Sequence, residues 1–278
     1  GGEDAGLARL DRFLHGERLI LNYRETRNRL LRNAGSSGLS AWLAHGCLSP
    51  RRVWAEIKRF EAAHGANEST YHFGFELLWR DYFHWLAWAY GDRLFARTGL
   101  RHKPAPDARD PERFDRWIQG QTGYPLIDAG MRELAATGFV GNRVRQNLAS
   151  FFCRWLGQDW RLGAETFEHA LVDYDVASNY GNWQYAAGVG VDPRNRTFNV
   201  VKQAYDYDPR GEYVRHWCPE LAPLPAPWIL EPYRLDAARE AEYGVRIGGT
   251  YPAPVVDGPP YLLVGTSKGE TSEYAARA

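Results

Sequence analysis

Helix punctuation constrains this chain more than any other feature. Ser49-Pro50 places an N-cap before a proline at the first helical position, and RRVWAEIKRFEAAHG then closes on Gly65. Ser69 or Thr70 opens a long aromatic segment, TYHFGFELLWRDYFHWLAWAY, that stops at Gly91. Asp110-Pro111 starts ERFDRWIQG, and Pro125 starts LIDAGMRELAATG, closed by Gly138. From Asn142 to Leu156 the apolar residues Val144, Leu148, Phe151 and Trp155 recur at helical spacing. Ala164 to Val172 forms a further helix that leads into an acidic segment. No alternating pattern is long enough for a sheet, so the expected fold class is all-α.

After Cys218, proline and glycine thicken in PELAPLPAPWILEP and again in YPAPVVDGPPYLL. These read as an extended strap over the helices, residues 219–263. The final GTSKGETSEYAARA, residues 264–278, is small and polar and is expected to be disordered. With no internal repeat, residues 1–263 read as one domain.

Composition narrows the function. Lys+Arg and Asp+Glu balance at 34 each, so a strong non-specific polyanion binder is excluded and any nucleic-acid contact must be local. Eleven Trp, 16 Tyr and 12 Phe make a wide core that can also stack on planar ligands. Cys47, Cys153 and Cys218 are scattered, without a CxxC pair, which argues against a disulfide framework or thiolate zinc site and for a reducing, cytoplasmic setting. No His pair has metal-ligand spacing, no run is long enough to cross a membrane, and no signal peptide is visible. A start at Gly-Gly instead of Met suggests an excised or processed piece.

Between Asp173 and Tyr185 the chain reads DYDVASNYGNWQY. Asp175 and Asn179 share a helix face, and buried carboxylates and amides need partners. Two readings are open. A planar heterocycle rich in donors and acceptors, such as a flavin, would supply those partners, with Trp183 placed to pass it an electron. Alternatively the cluster caps a helix, with Asp173 at its N-terminus and Gly181 as a kink. Asn142, Arg145, Gln146 and the small Ala149 line one helix face, and Arg145 needs an anion, Asp173 or Asp175. GSSGLS, residues 35–40, has the glycines and hydroxyls of a phosphate-binding loop without a P-loop lysine, and equally those of an ordinary cap. Glu76 and Arg80 have i, i+4 spacing on the aromatic helix, beside Trp79.

Together these segments resemble the FAD-binding helical domain of the photolyase/cryptochrome family, most closely its DASH branch. The likeness rests on GSSGLSAWLAHGCLSPR, STYHFGFELLWRDYF, GQTGYPLIDAGMRELAATGF, GNRVRQNLASFF, DWRLGAETFEHALVDYDVASNYGNWQY and DYDPRGEYVRHWCPEL. It implies non-covalent FAD, bent into a U within a helical bowl. Tyr23, Ser36, Ser37, Leu39, Ser40 and Arg80 would surround the pyrophosphate. Asn142, Arg145, Asp173, Asp175 and Asn179 would line the isoalloxazine, with Asn179 by N5. Glu76, Trp79, Arg143, Gln146 and Tyr185 would line a lesion pocket. Gln146 and Tyr185 stand where photolyases acting on duplex DNA typically carry Met and Trp, which makes this pocket more polar.

The resemblance implies light-driven repair of cyclobutane pyrimidine dimers, mainly in single-stranded DNA. A blue-light receptor with little repair is the alternative, and a relic scaffold that binds FAD weakly is a third. Three departures stand out. The N-terminal α/β domain with its antenna-pigment site is absent from this chain, so an upstream or separate antenna domain is a possible partner. Trp183 and Trp160 match the inner electron-relay tryptophans, but the outer position falls on Asp107. Trp117, Trp155 or a tyrosine would have to replace it, or photoreduction would be slow. Gly38 replaces a basic residue usual in the phosphate loop.

Overall fold

The computed structural model describes residues 1–31, 35–192, 194 and 196–257. The expected tail and the last part of the strap, residues 258–278, lie outside that set. The principal helices are α1 (Gly2–Asp11), α2 (Pro50–His64), α3 (Glu68–Tyr90), α4 (Pro111–Ile118) and α5 (Pro125–Thr137). They continue as α6 (Asn142–Ser150), α7 (Trp160–Ala170), α8 (Val176–Ala187), α9 (Val200–Tyr207) and α10 (Glu212–Trp217). Among the described residues only two isolated β-bridges interrupt this all-α architecture.

The Pro and Gly signals hold at α2, α4 and α5, where Ser49, Asp110 and Tyr124 precede a first-turn proline and Gly65 or Gly138 ends the helix. Other boundaries move. The aromatic helix α3 starts at Glu68 because the Asn67 side chain accepts the N–H groups of Ser69 and Thr70, both at 2.9 Å. Asn67 N–H in turn donates to the Thr70 hydroxyl at 3.1 Å, closing a capping box two residues before the expected start. The segment expected as one helix from Asn142 to Leu156 changes to a π-turn at Phe151–Trp155, where Leu156 N–H reaches back to Phe151 O at 3.0 Å.

α7 begins at Trp160, earlier than the expected Ala164, with Asp159 as its N-cap. Gly163 is there for packing and not as a break: a Cβ would lie 2.2 Å from the Trp183 ring. The capping alternative for the acidic segment also needs correction. Asp175, not Asp173, caps α8 by accepting the Ser178 N–H at 2.8 Å. Gly181 makes no kink; it sits mid-helix because Phe83 occupies the space its Cβ would need.

The strap is not wholly extended. It makes short helical turns at Pro219–Leu221 and Pro232–Arg234 and a helix at Ala237–Tyr243 capped by Asp236. It buries Leu221, Leu224, Ile229 and Tyr251 against the main core. That core is built from α5 to α8, and a smaller one gathers Leu10, Phe13, Phe60, Phe73 and Leu77 around α1 to α3. Between them opens a cavity.

Candidate functional site: a cavity between two helical cores

The cavity has a volume of about 630 Å³, within the range of cofactor and ligand sites. α3, α6 and α8 supply three of its walls, and residues 23–31 with 36–40 supply another. Among its lining residues are Tyr23, Ser36, Ser37, Leu39, Ser40, Glu76, Trp79 and Arg80. Asn142, Arg145, Gln146, Asp173, Asp175, Asn179, Trp183 and Tyr185 complete the set expected from sequence. Two expected residues lie elsewhere. Arg143 turns to Asn28 at 3.2 Å and stacks its guanidinium over Tyr207 at 4.7 Å. Trp160 is fully buried in the core behind the cavity wall.

The polar wall is braced in a definite order. Arg145 donates to both oxygens of Asp173 at 2.8 and 3.0 Å, while its Nε–H bonds Val140 O at 2.8 Å. Of the two anions open to Arg145 in the sequence, Asp173 is the partner. Asp175 is engaged by His84 at 2.8 Å, a contact with no sequence signal because the two residues are far apart in the chain. Burial alone would raise the Asp175 carboxyl, but the Ser178 N–H and hydroxyl and the His84 ring hold it below the ordinary carboxylate value. Asn179 Nδ2–H donates to Ala164 O at 3.0 Å, and a carbonyl can only accept. That bond fixes the amide, so Asn179 presents Oδ1 as an acceptor for whatever fills the cavity.

Glu76 does not staple to Arg80. It pairs with Arg27 and lies 3.4 Å from His72, while Arg80 turns to Asp81 at 3.2 Å. The i, i+4 spacing is overridden by a guanidinium arriving from a distant segment. Beside Glu76, Trp79 packs edge-on to Tyr82 at 5.5 Å, and Tyr185 packs against Phe83 at 5.4 Å. These rings form an aromatic shelf at one end of the cavity.

The 36–40 loop is held from below by a residue that sequence reasoning missed. Arg9 donates to the carbonyls of Ser37 and Ser36 at 2.7 and 2.9 Å. Its Nε stands 3.7 Å from where a Gly38 side chain would begin. A positive charge thus reaches this loop from α1 even though Gly38 carries none. Arginines dominate the lining, with Arg27, Arg29, Arg80, Arg145, Arg194 and Arg196 set against Glu76, Asp173 and Asp175. A chain of zero net charge therefore has a locally basic cavity.

Trp183 packs against Phe167 at 5.1 Å and Trp117 at 6.2 Å. Asp107 lies on the surface 3.8 Å from Arg97. Of the rings named as replacements, Trp117 is wholly buried and Trp155 packs on Phe151 and Tyr124, away from Trp183. Three buried polar atoms in the lining, His72 Nε2, Gln146 Oε1 and Trp183 Nε1, have no hydrogen-bond partner among the described residues. Such atoms are costly unless a ligand or water meets them. No group of three or more His, Cys, Asp and Glu is arranged to hold a metal among the described residues, and no described helix is long and apolar enough to cross a membrane.

Residues 73–259 match the family described as the FAD binding domain of DNA photolyase. A curated relative from Synechocystis sp., named Cryptochrome DASH, is 54% identical over 92% of this chain and 53% of its own length. The crystal structure of a Synechocystis cryptochrome superposes with a TM-score of 0.90 at 51% identity, covering 92% of this chain and 53% of that one. A bacterial class III photolyase from Agrobacterium tumefaciens gives 0.86 at 34% identity, over 100% of this chain and 56% of that one. The chain thus spans about half the length of the relatives it matches. It belongs to the family of the FAD-binding domain of DNA photolyase.

Proposed function

We propose that the cavity holds FAD non-covalently and that the protein uses near-UV or blue light to split cyclobutane pyrimidine dimers, chiefly in single-stranded DNA. The observation that carries this reading is the fixed Asn179 acceptor, set beside the braced Arg145–Asp173 pair and the unpartnered Gln146 Oε1 and Trp183 Nε1. This donor and acceptor set fits a flavin ring edge. When bound, the flavin supplies light absorption and a one-electron donor.

The chain's own residues do the rest. Asn179 accepts a hydrogen bond from a protonated ring nitrogen, and Asp173 and Arg145 hold the polar ring edge. Ser36, Ser37 and Ser40, with Arg80 opposite, form the phosphate end. Trp79 and Tyr185 offer the shelf for an extruded base, and Glu76 hydrogen-bonds it. The polar Gln146 and the single phenol ring of Tyr185 give little stacking energy against the cost of extrusion. That cost is least where the strand is already unpaired. With zero net charge, the chain has only the local arginines to attract phosphates. Three free cysteines, two of them buried, fit a reducing compartment such as the cytoplasm.

The assay compares light-dependent dimer loss in irradiated oligo(dT) with loss in the same strand annealed to its complement. We expect repair of the single strand and little of the duplex. Glu76→Ala should keep its flavin and lower the repair yield about tenfold or more, as expected for a lost hydrogen bond worth roughly 1.5–3 kcal/mol. Equal repair of both substrates refutes the pocket argument. No repair of either, with flavin bound and reduced, favours a blue-light receptor.

A further inference from the structure

Trp183 lines the cavity and leaves its indole Nε1–H without a partner among the described residues. Its ring is seated against Gly163 of α7, one turn after Trp160. Trp160 is wholly buried, and its Nε1–H donates to Arg97 O at 2.9 Å. Tyr180 stands beside Trp160. It precedes Trp183 by one turn of α8, and its ring stands edge-on to Trp160 at 6.1 Å and 77°. Its hydroxyl donates to Glu168 Oε2 at 3.0 Å. Glu168 is exposed to solvent, so a buried phenol has a carboxylate base that opens to water. Indole and phenol are among the most easily oxidised side chains, and no other described ring pair joins this set to a proton acceptor.

We propose that Tyr180, with Glu168 as its proton acceptor, is the terminal electron donor of this chain, replacing the aromatic ring that Asp107 denies it. This rests on the flavin reading of the cavity. Trp183 gives one electron to the photoexcited flavin, Trp160 refills Trp183, and Tyr180 refills Trp160. As it does so, the phenol O–H bond breaks, its proton passes to the Glu168 carboxylate, and a neutral tyrosyl radical remains. An added thiol then gives Tyr180 a hydrogen atom and is itself oxidised, and Glu168 returns its proton to water. The net change is one electron from thiol to flavin.

Coupling to the base is what makes this site a sink. Burial and the Glu168 charge hold the phenol well above its ordinary pKa, so the proton leaves only when the electron does. A neutral radical has no charge to draw the electron back. Trp117, which also touches Trp183, is a poorer trap: it is wholly buried and its indole N–H has no acceptor among the described residues. Tyr174 shares the Glu168 carboxylate, but among the described ring pairs none joins it to a tryptophan.

The test uses the flavin-loaded protein under blue light with an added thiol, freeze-trapped for electron paramagnetic resonance. The parent should show a neutral tyrosyl spectrum and a solvent deuterium effect on flavin photoreduction. Tyr180→Phe keeps the ring and should keep the flavin, but the tyrosyl signal should vanish and photoreduction fall to a trace. Glu168→Gln should weaken the signal and remove the deuterium effect. A tryptophanyl signal in the parent, photoreduction of Tyr180→Phe at the parent rate, or a signal lost with Tyr174→Phe instead would each overturn the assignment. Failure of every form to take up flavin would instead strike the reading of the cavity, and the relay with it.

Discussion

Replacing Asp173 by alanine should unfold the site before it changes the chemistry. Asp173 keeps 2% of its side-chain surface exposed, and Arg145, its bidentate partner, keeps 25%. Removing the carboxylate strands a guanidinium whose other candidate anion, Asp175, is taken by His84. Breaking a buried pair from one side costs roughly 3–5 kcal/mol, and the partly exposed Arg145 places this case near the lower end. The expected result is a urea-unfolding free energy lower by about 3 kcal/mol, together with loss of most of the bound flavin. Asp173→Asn keeps one hydrogen-bond acceptor and should lie between. An Asp173→Ala protein with parent stability and flavin content would show that the pair is not structural.

The second large effect is expected at Trp183. It lines the cavity, and its ring packs against Phe167, Phe152 and Trp117. Trp183→Phe retains an aromatic ring beside Gly163, so the fold should survive, but phenylalanine is far harder to oxidise. Thiol-dependent photoreduction of the flavin should slow by at least about a hundredfold, equivalent to some 2.7 kcal/mol in barrier. The decay of the oxidised flavin absorption under steady blue light gives the rate. Photoreduction at the parent rate would remove Trp183 from the route.

The parts of this structure legible in the sequence are those with local causes. A first-turn proline and a terminal glycine act on their own few residues, so α2, α4 and α5 stand where their punctuation puts them. Caps without that punctuation were less visible: Asn67, Asp159 and Asp236 each begin a helix because a side chain folds back onto nearby N–H groups. Gly181 misled for a related reason. It reads as a kink, yet it is small because the Phe83 ring from another helix lies on it.

The site divides in the same way. That Arg145 needs an anion is legible from chemistry alone, but the choice of Asp173 over Asp175 is not. Helical spacing allows Glu76 to pair with Arg80, but Arg27, 49 residues away, takes it. Arg9 under the 36–40 loop and His84 on Asp175 are also contacts between distant segments, which leave no periodic trace. Only the folded arrangement shows that Asn179 is oriented by Ala164 O, and that orientation gives the cavity its acceptor.

The most direct test of the central claim is the absorption spectrum of the purified protein, before and after heat or acid releases what the cavity holds. A non-covalent flavin in a braced, locally basic cavity predicts a yellow or blue protein whose chromophore moves wholly into the supernatant and is identified there as FAD. A colourless protein that stays colourless after incubation with excess FAD would contradict the account.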